Sequence, residues 1–471
     1  MDKQSVAVID PASKTMPASE SATSLPAERV YGPVYRAVLL TLILLTAAFA
    51  YIDRVIVQTL AEPIKQEFGL SDFQLGLLGG LSFAILYSSL GLPIARLAER
   101  KDRVTIISVS IGIFSIMSAL CGFATSFWQL FAARVGVGIG EAGVQAPSAS
   151  LIGDHFPPHR RGFALTIMRL GAPVGSVIGS VAAASIAAEY GWRTALMAVG
   201  VPGLVVALLF RLLLTDPPRG MSDPAAQRAE AAKPPPMMAV FRLLLTRPAF
   251  LHMLIGLALA SMGLYAGGAF TTPFFMRVHS LTLAEAGGYL AFLSGIAATA
   301  GMSLGGFGID FIARRGERWY ALLPFWGLAL SLPLYLFGYL APDPRVSLVC
   351  LTIAGIFLFF HSVPTLVAFQ NMVAANMRTT AAFVFFFVST LIGVGFGPPI
   401  IGLVSDLYTG YAMDGAGLTA RCAADATAAG CAAASAWGVR ASLLTSLSLY
   451  AWAAVHYWIA ARAIARDAVA A

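Results

Sequence analysis

The sequence predicts an all-α integral membrane protein, with twelve transmembrane helices in two pseudo-symmetric six-helix bundles. Three observations carry this expectation. Hydrophobic residues make up 58% of the 471 positions and charged residues 12%, against about 25% charged in a soluble domain, and mean hydropathy is +0.77. Long apolar runs recur six times on either side of a polar interruption. Loop patterns in the first set of runs return in the second.

Taken in order, the runs lie at 36–60, 73–96, 104–125, 127–153, 162–188 and 192–215, then 249–276, 284–311, 318–340, 346–373, 380–407 and 437–462. Each exceeds the roughly 20 residues that a helix needs to cross a bilayer. Interior Gly and Pro are tolerated in such helices, and the short alternating segments of a β-barrel do not occur. The polar residues 1–34 have no apolar signal core and read as a disordered tail. Residues 35–215 form the first bundle, 216–248 a Pro- and Ala-rich linker, 249–462 the second bundle and 463–471 a tail.

Loops after even-numbered spans carry sixteen Lys and Arg, and those after odd-numbered spans carry six. This bias predicts a multi-pass protein of the cell membrane, a bacterial inner membrane, with both termini in the cytoplasm. The net charge of +7 then follows from topology and implies no nucleic-acid partner. Cys121 and Cys350 read as apolar packing. Cys422 and Cys431 share a loop, 408–436, that this topology places outside, where either a disulfide or two free thiols would fit. No spacing of Cys or His suggests a metal, and no HExxH, GxSxG or GxxxxGK[ST] pattern suggests an enzyme or a nucleotide. No cofactor is expected.

The loop after span 2 reads GLPIARLAERK from Gly91, and the loop after span 8 reads GFGIDFIARRG from Gly306. A shift of 215 places Gly91 on Gly306 and Arg100 on Arg315, as in the duplicated halves of many secondary transporters. These loops, with Arg96, Arg100, Asp310, Arg314 and Arg315, resemble the signature loop of the major facilitator superfamily. So does Arg134-x-x-x-Gly138 in span 4, and Gly171, Gly175 and Gly179 in span 5 look like its helix-packing row. YIDR in span 1, RVGVGIGEAGVQAPSASLIGDHFPPHRRG through span 4 and GVGFGPPIIGLVSD in span 11 resemble its Spinster-like branch. That resemblance implies export of sphingolipid-like or lysophospholipid-like molecules, coupled to protons in some members. The first loop departs from the pattern, with Ala95 where the family has an acid. The clamp on the inner face would then rely on Glu99, Asp102 or Asp154.

Five charged residues lie deep inside spans, away from their ends: Asp53, Arg54, Arg134, Glu141 and Arg169, all in the first half. A charge at the bilayer centre costs about 2.5–3.5 kcal/mol by insertion scales, so it persists when paired or facing water. Under the internal repeat, Arg134 and Glu141 fall on Leu351 and Leu358, and Asp53 and Arg54 fall near Gly268 and Ala269. The fold alone therefore does not require these charges. Arg134, Gly138 and Glu141 share a helix face, whereas Asp53 and Arg54 point about 100° apart and need different partners. Depth predicts Asp53 with Arg134, and Arg54 reaching Glu141, with Arg169 competing. Proton coupling or substrate binding is one reading of these charges, and glue between spans 1 and 4 is the other. Tyr51 could line the cavity. His361 is either a hydrogen-bonded core histidine or a proton site. Phe274, Phe275, Phe383, Phe385, Phe386 and Phe387 could accommodate an acyl chain or simply face lipid.

The expected function is secondary active transport by alternating access, the expected partners being protons, membrane lipids and an amphipathic lipid-like substrate, with the protein a monomer. Proton-coupled transport of small organic anions or drugs is the alternative. A non-transporting receptor or scaffold would need neither the repeat nor the buried charges.

Overall fold

The computed structural model describes residues 31–219, 221–222, 237–373, 377–424 and 430–469, and among them every regular element is helical. Most of the expected N-terminal tail, up to residue 30, and the middle of the linker lie outside the described residues.

Among the described residues the helices fall into the twelve expected spans. Spans 1 and 3 are Pro33–Thr59 and Arg103–Cys121. Asp102 caps span 3 by accepting the Thr105 amide at 2.6 Å. Span 4, expected as one helix, is two, Phe127–Ala142 and Gln145–His155, with a tight turn between them. Spans 5 and 6 instead run together as Pro158–Leu213, folded back at Gly191 with φ 82°. A side chain would strain that backbone. Spans 7 to 9 are Pro248–His279, Leu283–Ile312 and Trp319–Leu340. Span 10 is Pro344–Leu358 continued by Ser362–Asn371, and span 12 is Cys431–Val469, running through most of the expected tail. Exposed Phe307, Trp128 and Leu212 belong to an apolar outer surface suited to lipid. The protein is a multi-pass membrane protein.

Spans 2 and 11 share an irregularity. Span 2 is Asp72–Gly76, a π-helical turn at Leu77–Leu81, then Ser82–Arg100. Span 11 is Arg378–Val388, a π-helical stretch at Ser389–Phe396, then Gly397–Gly415. The two π segments pack on each other where the halves meet. A Cβ on Gly80 would lie 2.4 Å from the Val394 carbonyl oxygen, and one on Gly76 would lie 2.4 Å from that of Pro398. Backbone meets backbone there, and only glycine permits it.

The halves join at one end of the molecule. Arg277 of span 7 makes paired bonds to Asp72 at 2.9 Å and holds Glu62 at 2.8–2.9 Å. Asp72 also takes Lys65 at 2.5 Å and Ser405 at 2.6 Å. Asp406 of span 11 accepts the first two amides of span 2, from Asp72 and Phe73, both at 2.8 Å. A C-half acid thus caps an N-half helix. Ser176–Ser294 adds a bond at 2.8 Å between spans 5 and 8. We call this the far end and the opposite one, with the 2–3 and 8–9 loops, the basic end. These ion pairs and the Asp406 cap hold the molecule closed at the far end.

At the basic end Arg103 is the hub of the N-half. It is 1% exposed and binds Asp154 at 2.5 Å, Asp216 at 2.6–2.7 Å, Ser150 at 2.8 Å and the Pro217 carbonyl at 3.0 Å. Arg219 donates to the Ala98 and Lys101 carbonyls at 2.7 Å, closing the end of span 2. The expected linker therefore begins as part of the N-half, and it ends in a helix, Met237–Leu245. Of the three acids considered in place of the missing one at Ala95, Asp154 takes Arg103, Asp102 serves as the cap and Glu99 is exposed. Asp216, which sequence reasoning did not single out, is the second acid.

The expected loop 408–436 is mostly helical, since span 11 continues to Gly415 and Thr419–Ala424 follows. Cys422 and Cys431 are joined in a disulfide, their Cα atoms 5.7 Å apart. Alkylation of the unreduced, denatured protein should then modify Cys121 and Cys350 alone. Mass spectrometry that found four modified cysteines before reduction would contradict the bond.

Candidate functional site

The intramembrane charges form two separate pairs. Asp53, 1% exposed, meets Arg134 at 2.5 Å, and the Ser118 hydroxyl of span 3 donates to its other oxygen. Arg54 binds Glu141 through Nε at 2.8 Å and Nη2 at 2.6 Å, both to Oε2. Neighbours on one helix thus answer to different partners on span 4, as their angular separation requires. Burying two charges stabilises only when geometry and further hydrogen bonds compensate for their desolvation. Asp53 has that compensation. Glu141, also 1% exposed, does not, because its Oε1 is buried without a hydrogen-bond partner.

Arg54 has another kind of support. Its guanidinium lies 4.6 Å from the centroid of Phe83, 4.9 Å from that of Tyr87 and 5.2 Å from that of Tyr51. Each contact falls within cation–π range. The cage depends on how span 2 approaches span 4. A Cβ on Gly138 would lie 2.5 Å from the Phe83 carbonyl oxygen, so the space left by Gly138 is filled by the backbone of span 2. Gly138→Val should separate these spans and destabilise the purified protein by roughly 1–3 kcal/mol through overpacking. A thermal-melting midpoint equal to the wild type would refute that close packing. From behind, Gly171, Gly175 and Gly179 of span 5 pack on Ala47, Ala48 and Ile52 of span 1, and hold Asp53 and Arg54 in register. Tyr265 and Val394 of the C-half reach into the N-half core on the cage side.

A cavity with about 330 Å³ of empty space lies beside the second pair, lined by Ile43, Ala47, Ala50, Arg54, Glu141, Val144, Gln145, Ser148 and Met168. A second, of about 260 Å³, lies between the halves at Gln58, Gly79 and Ala269. Among the described residues no group of three or more His, Cys, Asp or Glu is arranged to hold a metal.

Other sequence candidates fall elsewhere. Arg169 is exposed and is not a partner of Glu141, whose bonds go to Arg54. His361 is buried, with Nδ1 2.6 Å from the Leu358 carbonyl, as a core histidine would be. Phe274 and Phe275 are fully buried against Tyr339 and Tyr289, so they neither line a chain-sized cavity nor face lipid. Phe385 packs on Phe369, and Phe386 is exposed. Gly91 and Gly306 are half-buried, and Arg96, Arg100, Asp310, Arg314 and Arg315 are exposed and form no ion pair among the described residues, which fits an end where the halves stand apart. Sequence reasoning missed Arg103, Asp72, Arg277 and Asp406. The S-D-x-Q helix start at Ser71 was a usable signal for Asp72.

Residues 43–398 match the family model described as Major Facilitator Superfamily. A solved bacterial homologue of the human lysosomal transporter Spinster, inward-facing and unoccupied, superposes with a TM-score of 0.85 at 32% identity, covering 93% of this chain and 99% of its own. An MFS-type efflux pump of Mycolicibacterium smegmatis is 28% identical over 90% of this chain and 92% of its own. The sphingosine-1-phosphate transporter SPNS2 of Danio rerio is 32% identical over 37% of this chain and 35% of its own.

Proposed function

Because the chain belongs to the major facilitator superfamily, within its Spinster-like branch, and is a transporter rather than an enzyme, we propose that it moves an amphipathic, lipid-like molecule by proton-coupled alternating access. The observation that carries the coupling is the Arg54–Glu141 pair, buried beside a cavity, with one carboxylate oxygen unpartnered. An acid whose neutral form is favoured by burial and whose charged form is favoured by a removable arginine is a proton switch. Glu141 ionises when Arg54 is against it and takes a proton when Arg54 turns to an anionic substrate group. Guanidinium suits phosphate and carboxylate alike, and the rings of the cage keep the cation in place during the exchange.

In this reading the basic end is cytoplasmic and the structure is the inward-facing state, in a bacterial inner membrane, with the protein working as a monomer among lipids. Phosphorylated lipid as cargo is supported by the SPNS2 relative. The full-length likeness to an efflux pump supports a second reading, transport of a non-lipid organic anion or drug. The test is uptake into proteoliposomes of a lysophospholipid, a sphingoid lipid and an anionic drug, with and without a pH gradient. Lipid transport driven by the gradient supports the first reading. Transport of the drug alone favours the second, and gradient-independent movement of all three sinks the coupling.

A further inference from the structure

We propose that the cavity beside Glu141 is a hydrated proton path, with water and the Ser148 hydroxyl passing protons between Glu141 and the basic end and the Gln145 amide holding that water by hydrogen bonds. The inference rests on the proton-coupling reading above and extends it to residues that reading does not use. Arg54, Ala50, Ala47 and Ile43 run down one face of span 1 toward the basic end, and Glu141, Gln145 and Ser148 run down the facing side of span 4. Spacings of three and four residues place the span 1 set on a single helix face, while Glu141, at the end of the first helix of span 4, and Gln145 and Ser148, in the second, meet on one cavity wall across the turn after Ala142. Glu141 and Ser148 are seven residues apart across that turn, make no hydrogen bond to each other and share the cavity wall with Gln145, which lies between them in sequence.

Two buried polar atoms mark the ends of this slot. Glu141 Oε1 and the Ser148 hydroxyl are both without a hydrogen-bond partner, in residues 1% and 2% exposed. Buried polar groups are ordinarily satisfied by protein or by ordered water. The enclosed part of this cavity has room for about one water, with polar groups on its wall to hold it. The opposite wall of Ile43, Ala47, Ala50 and Met168 offers no competing partner. The path is also needed, because Glu141 is 1% exposed and reaches water at neither end by itself. The charged and titratable groups around Glu141 are Arg54 and Asp53 of span 1 and Arg134 of its own span. Tyr51, Tyr87 and Tyr265 stand beyond Arg54. None of these lies along the slot toward the basic end, so Gln145 and Ser148 carry that leg.

The experiment is infrared spectroscopy of the full-length protein in nanodiscs. The protonated-carboxyl band of Glu141 is identified by its loss in Glu141→Gln, and its exchange with deuterium oxide is then timed. Ser148→Val removes the hydroxyl, and Ser148→Thr has the same shape and keeps it. Exchange should slow by about tenfold or more in Ser148→Val and in Gln145→Leu, and recover in Ser148→Thr. Equal rates in the Val and Thr variants would overturn the path while leaving the coupling reading intact. A Glu141 band that never appears across the titratable range would overturn both.

Discussion

Glu141→Gln should abolish the response of transport to a pH gradient while leaving the protein folded. A gradient of one pH unit is worth about 1.4 kcal/mol per proton, a tenfold concentration ratio. Wild-type proteoliposomes should therefore sustain up to about tenfold accumulation per coupled proton, and the variant none. The amide has nearly the same shape, so it can still accept from Arg54, and the rings of Tyr51, Phe83 and Tyr87 still surround the guanidinium. What it lacks is a titrating oxygen. Equilibrative exchange of substrate should persist in Glu141→Gln and fail in Arg54→Ala, which removes the anion-binding group itself. If Glu141→Gln still accumulates substrate in response to the gradient, the charges serve only to hold spans 1 and 4 together.

The second large effect lies at the far end. Arg277→Met leaves Glu62 without its partner and leaves Asp72 only Lys65 and Ser405. Removing one member of a buried ion pair costs about 3–5 kcal/mol. That penalty applies to the closed far end, because separated halves would expose both acids to water. Since about 1.4 kcal/mol is a factor of ten, the variant should favour a far-end-open conformation by two orders of magnitude or so relative to the wild type. Spin labels introduced as Tyr190→Cys and Tyr411→Cys, at positions 67% and 74% exposed, report on the two halves in a background lacking Cys121 and Cys350. Their separation should lengthen in Arg277→Met. An unchanged distance distribution would show that the π-segment contacts hold that end shut without the arginine.

The fold was legible because lipid imposes a simple rule on composition and length, and twelve apolar runs obey it. Breaks within helices were not. Gly191 and the turn after Ala142 lie among apolar residues that read as continuous helix, and a π-helical turn changes hydrogen bonding without changing hydropathy. The joining of Asp53 to Arg134 and of Arg54 to Glu141 was readable from depth, because spans 1 and 4 run in opposite directions and charges in lipid have few places to go. Their roles rest on the proposal. Arg103, Asp72 and Arg277 were harder, since charges at helix ends are common and were counted toward topology. Their pairing across distant sequence, Asp72 with Arg277 above all, becomes visible only when the halves are assembled. Ser148 and Gln145 drew no notice because one hydroxyl and one amide in an apolar span are unremarkable until a cavity lies beside them.

The closure of both intramembrane pairs within residues 53–141 has a consequence for biogenesis. By the time span 4 leaves the ribosome, each buried charge in the site already has its counterion in the same nascent bundle, and Arg103 is satisfied once Asp216 follows. Lateral release of the first six helices into lipid need not wait for the last six. The Arg277 cluster and the Asp406 cap require both halves, and they form at the membrane edge, where an unpaired charge can stay in water until its partner arrives. The chain can thus insert as two successive bodies, the first with its intramembrane site charges already paired, and lock them together last.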